Sequence, residues 1–179
     1  MFTLDNGIIP DVANRTDEDS RFDTVLFTPN VVRDVLHKLK QTTSAGSDGI
    51  PNVFLKNCAN FLALPLSHIF SISFLDGCLL SSWKYAIVTP VHKNGAASDP
   101  NNFRPISVTA TCCKVMERVF NSQLLRYLLK HELITKHQHG FIKRKSVSTN
   151  LLECLDDWTL NLEGKYITDV IYFDFKKSI

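Results

Sequence analysis

The sequence lacks the features that mark disulfide-bonded, metal-binding and membrane-spanning proteins. Its five cysteines form no Cys-x-x-Cys pair and have no metal-ligand spacing, and their number is odd. Buried, reduced thiols in an intracellular protein are the simplest interpretation, so we expect a location in the nucleus or the cytoplasm. No apolar run reaches the length of a membrane span, and the N-terminus has no basic-then-apolar signal pattern. We therefore expect no membrane partner.

The sequence also has no large excess of either charge. The net charge is +2, from 20 basic and 18 acidic residues, so composition alone does not indicate a nucleic-acid partner. The charge is uneven, because residues 1–29 hold six acids and two arginines and the rest of the chain therefore carries +6. A mildly basic body is compatible with a polyanionic partner, but also with many soluble proteins that have none. Residues 1–23, which are acidic and show little periodicity, are predicted to be a linker or tail.

Periodicity along the remaining chain predicts both helices and strands, which corresponds to an α+β fold. The 179 residues, of which 44% are hydrophobic and 21% charged, are enough for one domain with a real core. Helices are predicted from Thr28-Pro29 onward, near 52–62, near 63–76, at 111–129, and from a Thr149 cap to about residue 162. Strands are predicted at 83–93 and 166–175, and loops at 43–51, 94–104 and 138–148.

From Val170 on, the final predicted strand is an apolar β-branched and aromatic run that carries one acidic residue, Asp174, near its end. A carboxylate at the exit of a buried strand is a usual place to hold a divalent metal for phosphoryl chemistry. From these residues alone, an acid that faces water at a strand end is the favoured alternative. One carboxylate does not complete a two-metal site.

Eight segments in the same order resemble one family. They are residues 44–51 (SAGSDGIP), 82–84 (SWK), 89–93 (TPVHK), 102–107 (NFRPIS), 114–118 (KVMER), 138–141 (QHGF), 149–152 (TNLL) and 172–175 (YFDF). Each segment alone is a weak signal, whereas the collinear set is very specific. It is similar to the reverse transcriptase domain of non-long-terminal-repeat retrotransposons, and most like the jockey and chicken-repeat type elements.

The resemblance covers about residues 24–179 and implies a right-hand polymerase fold. A helical N-terminal extension and the fingers would occupy about 24–165, and the first palm strand would lie at about 166–179. In the family the palm hairpin with the paired aspartates and the thumb come later, so we expect a fragment that is inactive alone. The implied parent activity is RNA-directed DNA synthesis with Mg²⁺ as cofactor, from an RNA template, a DNA primer and deoxynucleotides. A non-catalytic nucleic-acid-binding module and an inert relic, each derived from such an element, stay open as alternatives.

The resemblance assigns roles to three residues around the reacting phosphates. Asp174 matches the family's first metal-ligating aspartate and is therefore the candidate catalytic residue. Lys93 and Arg104 match basic finger positions that contact the incoming nucleotide in the family. Arginine suits this role because its planar fork pairs with two phosphate oxygens while it stays charged. The alternatives are a salt bridge of Arg104 that fixes the loop before Pro105, and a solvated loop lysine at position 93.

A basic run in the loop at 138–148 provides the candidate template contacts: Phe141, Lys143, Arg144 and Lys145. Consecutive cations near an aromatic ring can follow a phosphate backbone while the ring stacks on a base. The alternative is a solvated basic turn with Phe141 in the core. The family often has glycine where Arg144 stands, which leaves the geometry of this loop open.

Two acidic or terminal features depart from the family pattern. Asp156-Asp157 precedes Asp174 within a helical segment, so we interpret this pair as a solvated helix face and not as the paired aspartates. The family usually places an aromatic residue five positions after the metal aspartate, where it blocks a ribose 2′-hydroxyl. Here that position is Ile179, and Ser178 stands where alanine is common. The departure is compatible with a shifted reading frame or a decayed copy.

Two further patterns have structural interpretations. Gly46 and Gly49 do not form a P-loop because no Gly-Lys-Ser/Thr sequence follows, so we predict a turn that positions the extension, with template contact as an open possibility. His137 and His139 have no cysteine or acid at ligand spacing. They are predicted to be surface or helix-end histidines.

Overall fold

The computed structural model describes residues 21–173 and divides the chain into two compact units, Met1–His131 and Glu132–Ile179. The predicted tail lies outside the described residues except for positions 21–23. The first unit contains the helices α1 (Pro29–His37), α2 (Asn52–Asn57), α3 (Ala59–Leu75) and α4 (Thr111–Lys130), and the strands β1 (Ala86–His92) and β2 (Phe103–Thr109). The second unit contains α5 (Val147–Glu163). The predicted mixture of helix and strand is confirmed.

The core of the first unit lies where α1, α3 and α4 pack together. Its largest fully buried side chains are Val32, Leu36, Phe70, Val115 and Val119. The two α1 residues are four apart and the two α4 residues are four apart, so each helix turns one apolar stripe inward. The helices predicted from Thr28-Pro29 onward and at 111–129 are thereby confirmed.

The extended segment before α1 joins this core through aromatic rings. Phe27 lies 5.8 Å, between ring centroids, from both Phe70 and Phe74 of α3. Phe22 packs at the edge of Phe120 on α4, at 6.2 Å. The Gln123 side chain adds a polar fastening: its amide accepts from the backbone N–H of Leu26 at 2.9 Å and donates to the Leu26 carbonyl at 3.0 Å. This side chain therefore pairs with the extended backbone much as a neighbouring strand would.

Strands β1 and β2 form a two-stranded antiparallel hairpin in which Pro90 lies opposite Pro105. The Lys93 N–H donates to the Asn102 carbonyl at 2.7 Å, so the pair Lys93–Asn102, three positions beyond the proline pair, is hydrogen-bonded. Hydrogen-bonded and non-hydrogen-bonded pairs alternate in such a ladder, which makes the proline pair non-hydrogen-bonded. Both proline nitrogens therefore face the outer edges, and each edge lacks one donor that an added strand would need.

The loop at residues 43–51, which contains Gly46 and Gly49, packs on the base of this hairpin. A Cβ on Gly46 would lie 2.3 Å from the Thr109 carbonyl oxygen, so only glycine permits this approach. The Ser47 hydroxyl donates to the carbonyl of Tyr85, just before β1, at 2.9 Å. Gly49 has φ +69°, which supports the prediction of a glycine-dependent turn. The loop thus contacts the backbone at the start of one strand and the end of the other.

Several predicted boundaries were wrong. The break between the second and third helices falls at Cys58 and not at 62–63, because the helix accommodates Pro65 in its interior. The segment 103–109 forms β2, although its first residues were predicted to be loop. Ser146, and not Thr149, caps α5; Thr149 is the third helical residue and completes a capping box with Ser146.

The predicted final strand is not formed in its described part, residues 166–173. A strand requires a hydrogen-bonded neighbour, and in the described residues the only ladder is that of β1 with β2. Residues 174 and 175 of that prediction lie outside the described residues.

Candidate functional site

Lys93 and Arg104, the candidate nucleotide contacts, lie on the same face of the hairpin. Arg104 is opposite Val91 in the ladder, and Lys93 continues the same register opposite Asn102. Side chains alternate between faces along a strand, so positions 91, 93, 102 and 104 share one face. Diagonal neighbours of this kind lie roughly 7–8 Å apart, within the joint reach of two long side chains. The register therefore allows both cations to approach one polyanion.

Both cations are exposed to solvent. Within residues 21–173, neither side chain forms an ion pair or a hydrogen bond. The salt bridge considered for Arg104 is therefore not found there. Both charges remain available for a ligand, at the cost of the entropy of ordering two long side chains.

At the same end of the hairpin, the opposite face carries prolines and an aromatic ring. A cleft of about 490 Å³ is lined there by Pro90, Pro105, Phe103 and neighbouring residues of the connecting loop. The His92 ring packs at the edge of Phe103 with centroids 5.3 Å apart. Near the connecting loop, the hairpin thus has two cations on one face and prolines with an aromatic ring on the other.

The candidate template residues lie in the second unit, in a segment without regular secondary structure that we call the basic loop, residues 136–146. Phe141 is fully exposed, so the alternative that placed it in the core is wrong. Lys143 and Arg144 are also exposed, whereas the Lys145 ammonium is half-buried and donates to the Lys136 carbonyl. Three of the four predicted residues therefore face solvent, and the fourth closes the loop on itself.

Two residues of the basic loop have left-handed backbone conformations. Phe141 has φ +62° and Arg144 has φ +69°. Such conformations are strained for residues with a Cβ and persist only where surrounding contacts enforce them. The value at Arg144 agrees with the glycine that the resemblance places there.

The prediction of surface or helix-end histidines was correct for His137, whose side chain is 59% exposed, and wrong for His139. His139 is only 8% exposed, and its Nε2 lies 2.5 Å from Glu153 Oε2 on α5. His137 Nδ1 lies 2.5 Å from the other carboxylate oxygen, Oε1. Hydrogen bonds from His139 and then His137 hold the pKa of Glu153 below its usual value. Sequence spacing missed this cluster because Glu153 is more than ten residues away, on another element.

The metal-binding prediction rests on Asp174, which lies outside the described residues. Within residues 21–173 there is no group of three His, Cys, Asp or Glu side chains that could hold a metal ion. The two histidines and Glu153 bond to one another and do not converge on a shared point. Asp156 and Asp157 are exposed on α5, as predicted for a solvated helix face.

The buried cysteines offer no nucleophile. Burial raises the pKa of both Cys112 and Cys113 to about 11, so each thiol stays protonated at neutral pH. No cysteine of the described residues is in a disulfide. Among the described helices, none is both long enough and apolar enough to traverse a lipid bilayer.

Comparison with known proteins gives three relatives from Drosophila melanogaster. The chain is 26% identical over 144 residues to the probable RNA-directed DNA polymerase from transposon BS, covering 72% of this chain and 16% of that protein. It is 23% identical over 159 residues to the probable RNA-directed DNA polymerase from transposon X-element, covering 85% and 17%. It is 27% identical over 115 residues to the RNA-directed DNA polymerase from mobile element jockey, covering 62% and 12%.

These relatives confirm the resemblance to retrotransposon reverse transcriptases that eight segments of the sequence indicate. The chain spans between 12% and 17% of the length of each of them. No protein-family model matches the chain.

Proposed function

We propose that this chain is the part of a retrotransposon reverse transcriptase that holds the incoming deoxynucleotide and the RNA template. The observation that carries the proposal is the shared hairpin face of Lys93 and Arg104, together with the similarity to three RNA-directed DNA polymerases. In this proposal residues of about 24–165 are the helical extension and fingers of a right-hand polymerase. The palm begins near residue 166.

The chemistry required of the hairpin is the neutralisation of a triphosphate. The guanidinium of Arg104 would donate two parallel hydrogen bonds to phosphate oxygens, while the Lys93 ammonium would act as a point charge two positions along the ladder. Neither side chain needs to leave an ion pair with another described residue before it does so. The exposed cations can therefore follow charge as it develops on the phosphates.

The chemistry required of the basic loop is different. Lys143 and Arg144 would pair with successive backbone phosphates of the template, and the exposed Phe141 ring would stack on a base. Asp174 is our candidate ligand for Mg²⁺, which would stabilise the attacking and leaving oxygens when bound. Within residues 21–173, no group of three potential ligands forms a metal site of its own.

Equilibrium binding of two ligands to the full chain tests this division of roles. The ligands are a deoxynucleoside triphosphate and a single-stranded RNA oligonucleotide, each measured over a range of salt concentrations. Arg104→Ala should weaken triphosphate binding by roughly ten- to a hundredfold, since a charge-assisted pair of hydrogen bonds contributes about 1.5–3 kcal/mol. Lys143→Ala should instead weaken RNA binding and lower the salt slope by about 0.7.

Arg118→Ala is the matched control, because Arg118 is an exposed arginine that belongs to α4 and not to the hairpin. It should leave triphosphate binding close to that of the parent chain. If Arg104→Ala behaves like Arg118→Ala with both ligands, the nucleotide role of the hairpin is wrong. RNA binding without any triphosphate binding would instead favour the non-catalytic nucleic-acid-binding module.

A further inference from the structure

The basic loop is fastened to α5 through one carboxylate. Both oxygens of Glu153 are used, one by His137 Nδ1 and one by His139 Nε2, each at 2.5 Å. The other ring nitrogen of His139, Nδ1, lies 2.8 Å from the hydroxyl oxygen of Thr149. Thr149 and Glu153 are four residues apart, so they share one face of α5. Two side chains of the helix thus form hydrogen bonds with two side chains of the loop.

Thr149 connects the basic loop to the cap of α5. Its hydroxyl oxygen accepts from the Ser146 N–H at 2.8 Å and donates its single proton to the Ser146 carbonyl at 2.8 Å. The contact with His139 Nδ1 is then satisfied only if the imidazole donates. Nε2 lies against Glu153, so both ring nitrogens of His139 contact side chains of α5.

The contacts of Glu153 and Thr149 with the two histidines help to stabilise a strained loop that has no apolar core. Phe141 and Arg144 have positive φ. In the described part of the second unit, residues 132–173, His139 is the one buried side chain. Because no apolar core holds the loop, its backbone conformation depends on polar contacts: those to α5, and those within the loop, such as the one from Lys145 to the Lys136 carbonyl.

We propose that Glu153 is a positioning residue for template binding. Through His137 and His139 it holds the basic loop in the conformation that presents Phe141, Lys143 and Arg144 to the phosphate backbone of single-stranded RNA. This inference rests on the template role in the proposed function. It adds an acidic residue, Glu153, to a site whose proposed RNA contacts are basic. As a bare charge near a basic loop, Glu153 would repel RNA, whereas as a positioning residue it favours RNA binding.

The opposite signs of these two effects define the experiment. Glu153→Gln keeps the side-chain size but leaves one acceptor oxygen in place of two, so one histidine contact is lost. Asp157→Asn is the charge-matched control, because Asp157 is exposed one turn further along α5 and contacts no other described residue through an ion pair. Both variants remove one negative charge from the same helix. The full chain is probed with a single-stranded oligouridine, and tryptic cleavage after positions 143–145 is followed by mass spectrometry.

We expect Glu153→Gln to bind the oligouridine several-fold more weakly and to be cleaved several-fold faster in the basic loop. Asp157→Asn should bind equally or slightly more tightly and be cleaved at the parent rate. Glu153→Gln that binds as well as Asp157→Asn, or more tightly, overturns the positioning role. If circular dichroism shows that Glu153→Gln loses helix, His137→Gln replaces it, since that change removes an exposed contact and leaves the buried His139 in place. It should reproduce both effects, and parent-like binding and cleavage would overturn the proposal.

The two arms separate this inference from the proposed function. If the parent chain does not bind the oligouridine, the template role fails, and the cleavage arm alone decides whether Glu153 holds the loop. Faster cleavage of Glu153→Gln than of Asp157→Asn then supports the fastening, and equal cleavage rejects it.

Discussion

Gly46 lies where no other residue fits. A Cβ at this position would be 2.3 Å from the Thr109 oxygen and 2.9 Å from the Ala110 Cα, both of which are backbone atoms that cannot rotate away. Gly49 in the same loop has a different reason to be glycine: nothing lies within 4 Å of its Cβ position, but its φ is +69°. Gly46 is therefore required by the close approach of another backbone segment, and Gly49 by its own backbone conformation.

Gly46→Ala should destabilise the first unit by about 1–3 kcal/mol, because the added methyl group must push the loop away from the hairpin. Gly49→Ala should cost about 1–2 kcal/mol through its left-handed backbone alone. Urea unfolding gives both free energies. Amide resonances distinguish the two mechanisms, since those of Thr109 and Ala110 should shift in Gly46→Ala and stay in place in Gly49→Ala. Unshifted resonances in Gly46→Ala would contradict the steric explanation.

Single residues also show what sequence reasoning could reach. Lys93 and Arg104 were found by resemblance, but their common face depends on the ladder register, which no local pattern contains. His139 was misjudged because its partners, Thr149 and Glu153, belong to a helix that begins after the loop. Their spacing of four residues was visible in the sequence. The sequence contains no signal that the loop turns back onto that helix.

Elements with a continuous apolar stripe and a local start signal were predicted well. α1 begins after Thr28, whose hydroxyl accepts from the Val31 N–H, with Pro29 at the first position. α4 extends over Thr111–Lys130, one residue beyond its predicted end. Both depend on interactions within a few residues, which the sequence displays directly.

Elements that depend on distant partners were predicted poorly. β2 begins with Asn-flanked, proline-containing sequence, yet it forms because β1 provides its ladder. Residues 166–173 have stronger strand propensity than β2, and they form no strand because no described segment pairs with them. Propensity therefore identified the apolar run, but pairing decided the structure.

The fastening of the basic loop to α5 should depend on pH in the acid range. The pKa of Glu153 is lowered in the folded chain, so its contribution to stability is present above the usual carboxyl pKa, near 4.5, and is lost as the pH falls through the lower folded value. Amide hydrogen exchange in residues 136–146, corrected for intrinsic rates, should show protection at about pH 6 that decreases as the pH falls below the usual carboxyl pKa. In Glu153→Gln this dependence should disappear, and in Asp157→Asn it should remain. Protection that persists in Glu153→Gln throughout this pH range would reject the carboxylate as its source.

At the scale of the whole molecule, the two units differ in how much they bury. The first unit encloses a core of aliphatic, aromatic and cysteine side chains contributed by its four α-helices, by the segment before α1 and by Trp83. In the second unit, α5 exposes its large apolar side chains Leu151, Leu152, Leu155, Leu160 and Leu162. Burial of apolar area is the dominant stabilising term, so we expect the units to differ in local stability.

Native-state hydrogen exchange on the full chain measures that difference. Amides of α1, α3 and α4 should exchange slowest and should respond to urea as one cooperative group, because their side chains share the buried cluster around Leu36, Phe70 and Val115. Amides of α5 should exchange faster by at least about tenfold, which corresponds to about 1.4 kcal/mol less protection, since its hydrogen bonds are supported by a capping box and the Glu153 contacts but not by a core. Phe70→Ala provides the control: it should lower protection throughout the first unit by about 3–5 kcal/mol and leave the exchange of α5 unchanged. If α5 instead exchanges with the same free energy as α4, and falls with it in Phe70→Ala, the two units unfold as one and the division of the molecule by burial is wrong.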